Sequence, residues 1–142
     1  MSFRHTKGPA LLEFWPKTAS TALTLGQLWV TSSGGLITAT VAATRILGVG
    51  QTTIASTDTD YASTTSIPVL VPTSVDEFEV DLTNTTTFTA TFVGLQCDID
   101  ATGQYVDATA SSHKQCTIMR QGSTTSKVIV KINGAYLFAN AT

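Results

Sequence analysis

Threonine fills 27 of the 142 positions and serine another 12, and this restricts the fold more than any other feature. A side chain branched at Cβ crowds a helical turn but sits well on a pleated surface, so a threonine-rich chain makes poor helices and good strands. Charged residues supply only 13% of the sequence, about half the usual share. That excludes a charge-coated helical bundle, a coiled coil and a disordered acidic or basic tail. The chain is expected to be all-β. Its length provides for one hydrophobic core, since domains commonly run to about 100–150 residues.

Apolar residues recur with period two through most of the chain. Leu23, Leu25, Leu28 and Val30 surround Gly26, which reads as a bulged strand over about 22–31. Thr31-Ser32-Ser33-Gly34-Gly35 is turn chemistry, Leu36 to Ala43 a second strand, and Arg45 to Gly50 a short third run. Residues 51–65, rich in Thr, Ser and Asp, form the longest loop. Ser66 to Val71, bounded by Pro68 and Pro72, reads as an edge strand. Val75 to Leu82 sets Phe78, Val80 and Leu82 against Glu77, Glu79 and Asp81. After a turn at Thr83-Asn84-Thr85, Thr87 to Val93 sets Phe88, Ala90 and Phe92 against three threonines, and the two runs predict a hairpin. Gln104 to Asp107, Gln115 to Met119 and Lys127 to Ile132 are further strands, and Asn133-Gly134 predicts a type I′ turn that folds Tyr136 to Phe138 back. Eight to ten short strands without a helix predict an antiparallel β-sandwich or β-barrel, residues 21–142.

Residues 1–20 read as an extended N-terminal arm. Pro9 and Pro16 exclude a long helix there, and Leu11, Leu12, Phe14 and Trp15 form an apolar patch beside Arg4, Lys7 and Lys17. Such a patch needs a partner surface, either its own domain as a first strand or a neighbouring subunit. Nothing in it resembles a signal peptide, and the uncharged stretch 18–44 is too polar to span a bilayer, which predicts assembly in cytoplasm.

Charge is segregated along the chain. No basic residue lies between Arg45 and Lys114, whereas nine of the ten acids do. With a net charge of −2 there is no footprint for direct nucleic-acid or membrane binding. The pattern fits docking onto a mixed-charge surface or onto further copies, and equally an acidic face in solvent. Glu77, Glu79 and Asp81 are the residues for a self-association or solvent face.

The sequence carries no cofactor motif and no catalytic signature. Asp98, Asp100 and Gly103 match the first half of a calcium loop, but position twelve is Thr109, so an Asx-rich turn explains them as well. Cys97 and Cys116 lack CxxC spacing and are either one disulfide or two buried thiols. His5 and His113 are too isolated for a zinc site, and a Cys–His nucleophile using His113 has no supporting motif.

The run Leu25-Gly26-Gln27-Leu28-Trp29-Val30, then Gly34-Gly35-Leu36-Ile37, then Ile46-Leu47-Gly48-Val49, resembles the opening of small capsid decoration (cement) proteins of tailed bacteriophages. The resemblance covers residues 20–50. It implies a non-enzymatic homotrimer on the outer capsid surface of a virion, whose partner is the major capsid protein. Phe3, Arg4, Lys7, Leu11, Leu12, Phe14 and Trp15 would then lie against the shell. The alternative is a phage fibre or lectin-like β domain binding host glycans, with Trp29, Tyr61 and Tyr105 as its aromatic contacts.

Overall fold

The computed structural model describes residues 3–83 and 86–138. In chain order the strands are β1 (Arg4–Lys7), β2 (Leu11–Pro16), β3 (Leu28–Ser32), β4 (Gly35–Thr38), β5 (Gly48–Gly50), β6 (Ser66–Val71), β7 (Glu77–Leu82), β8 (Gln96–Ile99), β9 (Tyr105–Asp107), β10 (Cys116–Gln121) and β11 (Lys127–Ile132). Ala90–Phe92 and Gly134–Tyr136 form single 3₁₀ turns. The protein is all-β.

Five strands close a barrel in the order β7-β11-β10-β8-β9, completed by a short parallel pairing of Asp81 and Leu82 with Tyr105 and Val106. Alternation accounts for its interior. Phe78, Val80 and Leu82 from β7, Cys97 and Ile99 from β8, Cys116 and Ile118 from β10, and Val128, Val130 and Ile132 from β11 are all buried in one cluster. The second sheet runs β2-β6-β5-β3-β4, antiparallel throughout. It curls until Lys17 bridges Leu36, and encloses Trp29, Leu36, Leu47, Ile67 and Val69 on its concave face. Leu28, Val49 and the half-buried Leu70, on its other face, join the core of the barrel.

The segment expected to be an arm is part of both sheets. β1 pairs with β7, placing Arg4 opposite Glu79 and Lys7 opposite Glu77, and β2 pairs along its whole length with β6. Phe3 is only 2% exposed and its N–H reaches the carbonyl of Gly26 at 2.8 Å. For β1 its own domain supplies the partner, because β9 pairs with β7 only at Asp81 and Leu82 and leaves the same edge free at Glu77–Glu79 for β1 to fill. Gly8 makes the crossing from one sheet to the other. Its φ is +114°, and a Cβ there would sit 2.2 Å from Asp76 Oδ1.

Four further expectations are corrected. β6 is an interior strand, between β2 and β5. Pro68 is tolerated because its carbonyl accepts the Gln51 N–H, so its nitrogen faces the same side, just beyond the end of β5. The hairpin of Val75–Leu82 with Thr87–Val93 is absent: both edges of β7 are already occupied by β11, β1 and β9. Phe88 and Phe92 instead pack edge to face, 6.2 Å apart, beside the barrel. Asn84 and Thr85 of the expected turn lie outside the described residues. Asn133 has φ −64° and ψ 137°, not the positive φ of a type I′ turn, because its side chain is held by Thr117 Oγ1 and the Lys114 carbonyl. The chain therefore crosses to the second sheet, where Leu137 bridges Ile46. Finally, Gly26 takes a φ of +81° in a turn closed by the Gln27 N–H on the Thr24 carbonyl, so the strand expected from about residue 22 begins only at Leu28, as β3.

Candidate functional site

Along the outside of β7 runs a ladder of ion pairs. Arg4 Nη2 donates to Glu79 Oε1 at 2.7 Å, Arg120 Nη2 to Glu77 Oε1 at 2.8 Å, and Lys127 Nζ to Asp81 Oδ1 at 2.6 Å. Glu79 also accepts the Ser123 N–H at 2.6 Å. The alternation of β7 is as expected, but Glu77 and Glu79 are buried and do not face solvent, because basic side chains from β1 and β10 lie across them. The bond from Arg4, against the opposing effect of burial, brings the Glu79 carboxyl down to about 2. The bond from Arg120 likewise lowers Glu77. Arg4, Arg120 and Lys127 from the basic ends are thus paired with acids of the middle of the chain inside one molecule.

Two buried aspartates fasten loops. Asp76 accepts from Ala10 N–H at 2.9 Å, Thr73 N–H at 2.6 Å and Thr73 Oγ1 at 2.8 Å, and lies 2.9 Å from His5 Nε2. Burial opposes its ionisation, and these bonds outweigh burial and lower its pKa. Asp98 accepts from the N–H groups of His113 and Lys114 at 2.8 and 2.7 Å. Lys17 is a third fastening point that the sequence reading assigned only to the basic arm. It is 1% exposed, and its Nζ donates to the carbonyls of Tyr61 and Ser63 at 2.7 Å each and of Thr18 at 3.2 Å. Its signal in the sequence, a lysine next to a proline and an apolar run, is no different from that of a surface lysine.

Among the described strands, β2 carries a cluster of large exposed apolar side chains. Leu11, Leu12 and Phe14 are 65%, 58% and 65% exposed, whereas Trp15 turns inward, gives its Nε1–H to Glu13 Oε1 at 2.9 Å and packs on Phe138. Lys7 is exposed on the strand before it. Of the seven expected shell contacts, Phe3 and Trp15 thus face into the protein, Arg4 holds Glu79, and Lys7, Leu11, Leu12 and Phe14 face out. Val75, also exposed, sits in the turn that Asp76 ties to Ala10. A groove of about 270 Å³ lined by Phe3, His5, Gln51 and Leu70 opens near Leu12, which pairs with Leu70.

Other chemistries find no constellation. Asp100 uses its oxygens on Thr102 Oγ1 and the N–H groups of Gln104 and Tyr105, an Asx turn, while Asp98 points to His113. Among the described residues no three His, Cys, Asp or Glu side chains are grouped to hold a metal ion. Cys97 and Cys116 are free thiols, buried and directly opposite each other across β8 and β10. Burial pushes Cys97 up to about 12, far from a nucleophile. Trp29, the leading aromatic for glycan contact, is fully buried, Tyr61 is half-buried beside Lys17, and Tyr105 alone of the three is exposed.

No protein-family model matches this chain, and no curated protein matches it.

Proposed function

We propose that this chain is a virion structural protein that decorates and stabilises the icosahedral head of a tailed bacteriophage, bridging major capsid subunits from the outer surface as a homotrimer. The observation that carries the reading is the apolar edge of β2, where three large side chains, Leu11, Leu12 and Phe14, are more than half exposed within four residues of one strand. Such a patch marks a contact with another macromolecule. The threonine-rich coat supports it, because short uncharged side chains lose little entropy when ordered against a partner. So does the resemblance, whose residues form the neighbouring strands β5, β3 and β4. Many weak copies bound to one shell would hold strongly through multivalency.

The test is incubation with undecorated phage heads. Saturable uptake is expected, and Leu12→Asp with Phe14→Asp should abolish it while leaving the fold intact, since both side chains are exposed. A chain lacking residues 1–17 would not be a clean control, because β1 is paired in a sheet and Phe3 and Lys17 are buried. Heads that take up no protein, or a strictly monomeric protein in light scattering, would overturn the reading.

A further inference from the structure

The backbone of β2 is as informative as its side chains. In an antiparallel pair, residues alternate between those whose N–H and C=O face the partner strand and those whose groups face away. The Pro68 carbonyl accepts the Gln51 N–H, so Pro68, and Leu70 two residues on, face β5. Phe14 and Leu12, which stand opposite them across the β2–β6 pair, therefore face away from β6. Thr18, in the same alternate set, shows where that side leads: its N–H bonds to the Leu36 carbonyl of β4. β4 starts at Gly35, so upstream of that contact it has ended. Among the described residues, four backbone groups, the N–H and C=O of Leu12 and of Phe14, line an open sheet edge flanked by their own exposed side chains.

We propose that this edge takes one extended strand of a partner protein, apolar at two alternate positions with a basic residue between them. The proposal rests on the reading above only for the idea that this face is a protein contact. An open, apolar edge strand is a ready template for strand addition, with backbone bonds supplying affinity and alternate side chains specificity.

A second copy of β2 is a poor occupant. Pairing β2 with itself so that Leu12 meets Phe14 sets Glu13 against Glu13, and like charges directly opposite are destabilising. Shifting by two residues one way places Pro16, which has no N–H, opposite Leu12. Shifting the other way places Ala10 opposite Phe14, and the Ala10 N–H is already held by Asp76. The area argues the same way: three side chains about two-thirds exposed offer a few hundred Å², roughly half of the ~800 Å² that each partner buries in a stable dimer. The edge is also short, closed by Pro9 and Pro16, and fits a single three-residue register. Glu13 is its one charge, half-buried and bonded to Trp15. A lysine or arginine opposite Glu13, between two apolar residues opposite Leu12 and Phe14, is the complement.

Two capped peptides test this, Thr-Ser-Val-Lys-Val-Ser-Thr and the same sequence with Glu at the centre, titrated into the full chain and followed by amide hydrogen exchange and NMR shifts. The Lys peptide should slow exchange at the Leu12 and Phe14 amides and leave Glu13 and Trp15, already bonded to β6, unchanged. It should bind about three- to fivefold more tightly than the Glu peptide, and Glu13→Gln, which keeps an acceptor for Trp15, should erase that preference. Absence of protection at Leu12 and Phe14, equal binding of the two peptides by the native chain, or protection of the same amides by self-association without peptide would each overturn the proposal. Phage-head uptake separates the two ideas: saturable uptake of the native chain, with no protection of the Leu12 and Phe14 amides by either peptide, defeats the strand-addition edge and leaves the decoration reading standing. Absence of uptake of the native chain beside a positive peptide result does the reverse.

Discussion

Replacing Lys17 by methionine isolates the contribution of a buried ammonium group. The stem fills the same space, so packing is nearly kept and the change is confined to Nζ. In the native protein Nζ bonds the carbonyls of Tyr61 and Ser63 at 2.7 Å each, with a longer contact to its neighbour Thr18 at 3.2 Å. A hydrogen bond to a charged group contributes about 1.5–3 kcal/mol net, so the two short bonds set an upper limit near 6 kcal/mol. The Tyr61 carbonyl also accepts the Ser20 N–H at 2.8 Å and so keeps one donor, whereas the Ser63 carbonyl loses the donor it has here. The expected loss is therefore about 2–4 kcal/mol, which for a chain of this size lowers the melting temperature by roughly 5–15 °C. Urea denaturation of Lys17→Met against the native protein measures it. Limited proteolysis gives the local readout, with new cleavage expected in 55–64, the loop that Lys17 holds. A variant within about 0.5 kcal/mol of native, the range of ordinary surface substitutions, and without new cleavage would refute the argument that this ammonium anchors the loop.

The ion-pair ladder predicts an acid response. The folded-state pKa values of Glu77 and Glu79 are depressed, so their stabilisation is fully present above the ordinary glutamate value of 4.5 and is lost as pH falls toward about 2, where Glu79 protonates. A stability profile over that window should flatten in Glu79→Gln. Cys97 and Cys116 should be inert to thiol reagents in the native protein and react only on denaturation, because burial keeps both protonated; rapid native labelling would contradict their placement. Gly50→Ala should cost about 1–3 kcal/mol, since a Cβ there falls 2.1 Å from the buried Trp29 ring, and overpacking of a rigid core forces strain. Chemical denaturation measures that loss, and an unchanged midpoint would show that Trp29 moves aside freely.

Particular strands show how much of this was legible. Ser66–Val71 and Lys127–Ile132 stand where the sequence places them, because each has a period-two apolar face bounded by turn residues. β8, Gln96–Ile99, was missed as a strand, since Asp98 and Asp100 dominate its reading as a turn. The buried Asp98 is explained only by the N–H groups of residues fifteen and sixteen positions away. Thr87 to Val93 alternates as well as any true strand and is none, because periodicity reports a surface with two faces and not whether a free edge exists to receive it. The candidate contact was half legible. Leu11, Leu12 and Phe14 are apolar near one end and do lie exposed, but the same reading placed Phe3 and Trp15 beside them.

Composition and period alone determined that this chain is all-β, with Phe78, Val80 and Leu82 opposite Glu77, Glu79 and Asp81, because those are properties of a residue and its nearest neighbours along the chain. Only the tertiary structure decided that Glu77 and Glu79 of β7 lie buried under Arg120 and Arg4, that Lys17 is buried, and that β2 has an open edge among the described residues. Each of those depends on which strand lies alongside which, and strand order is set by competition for edges across the whole molecule.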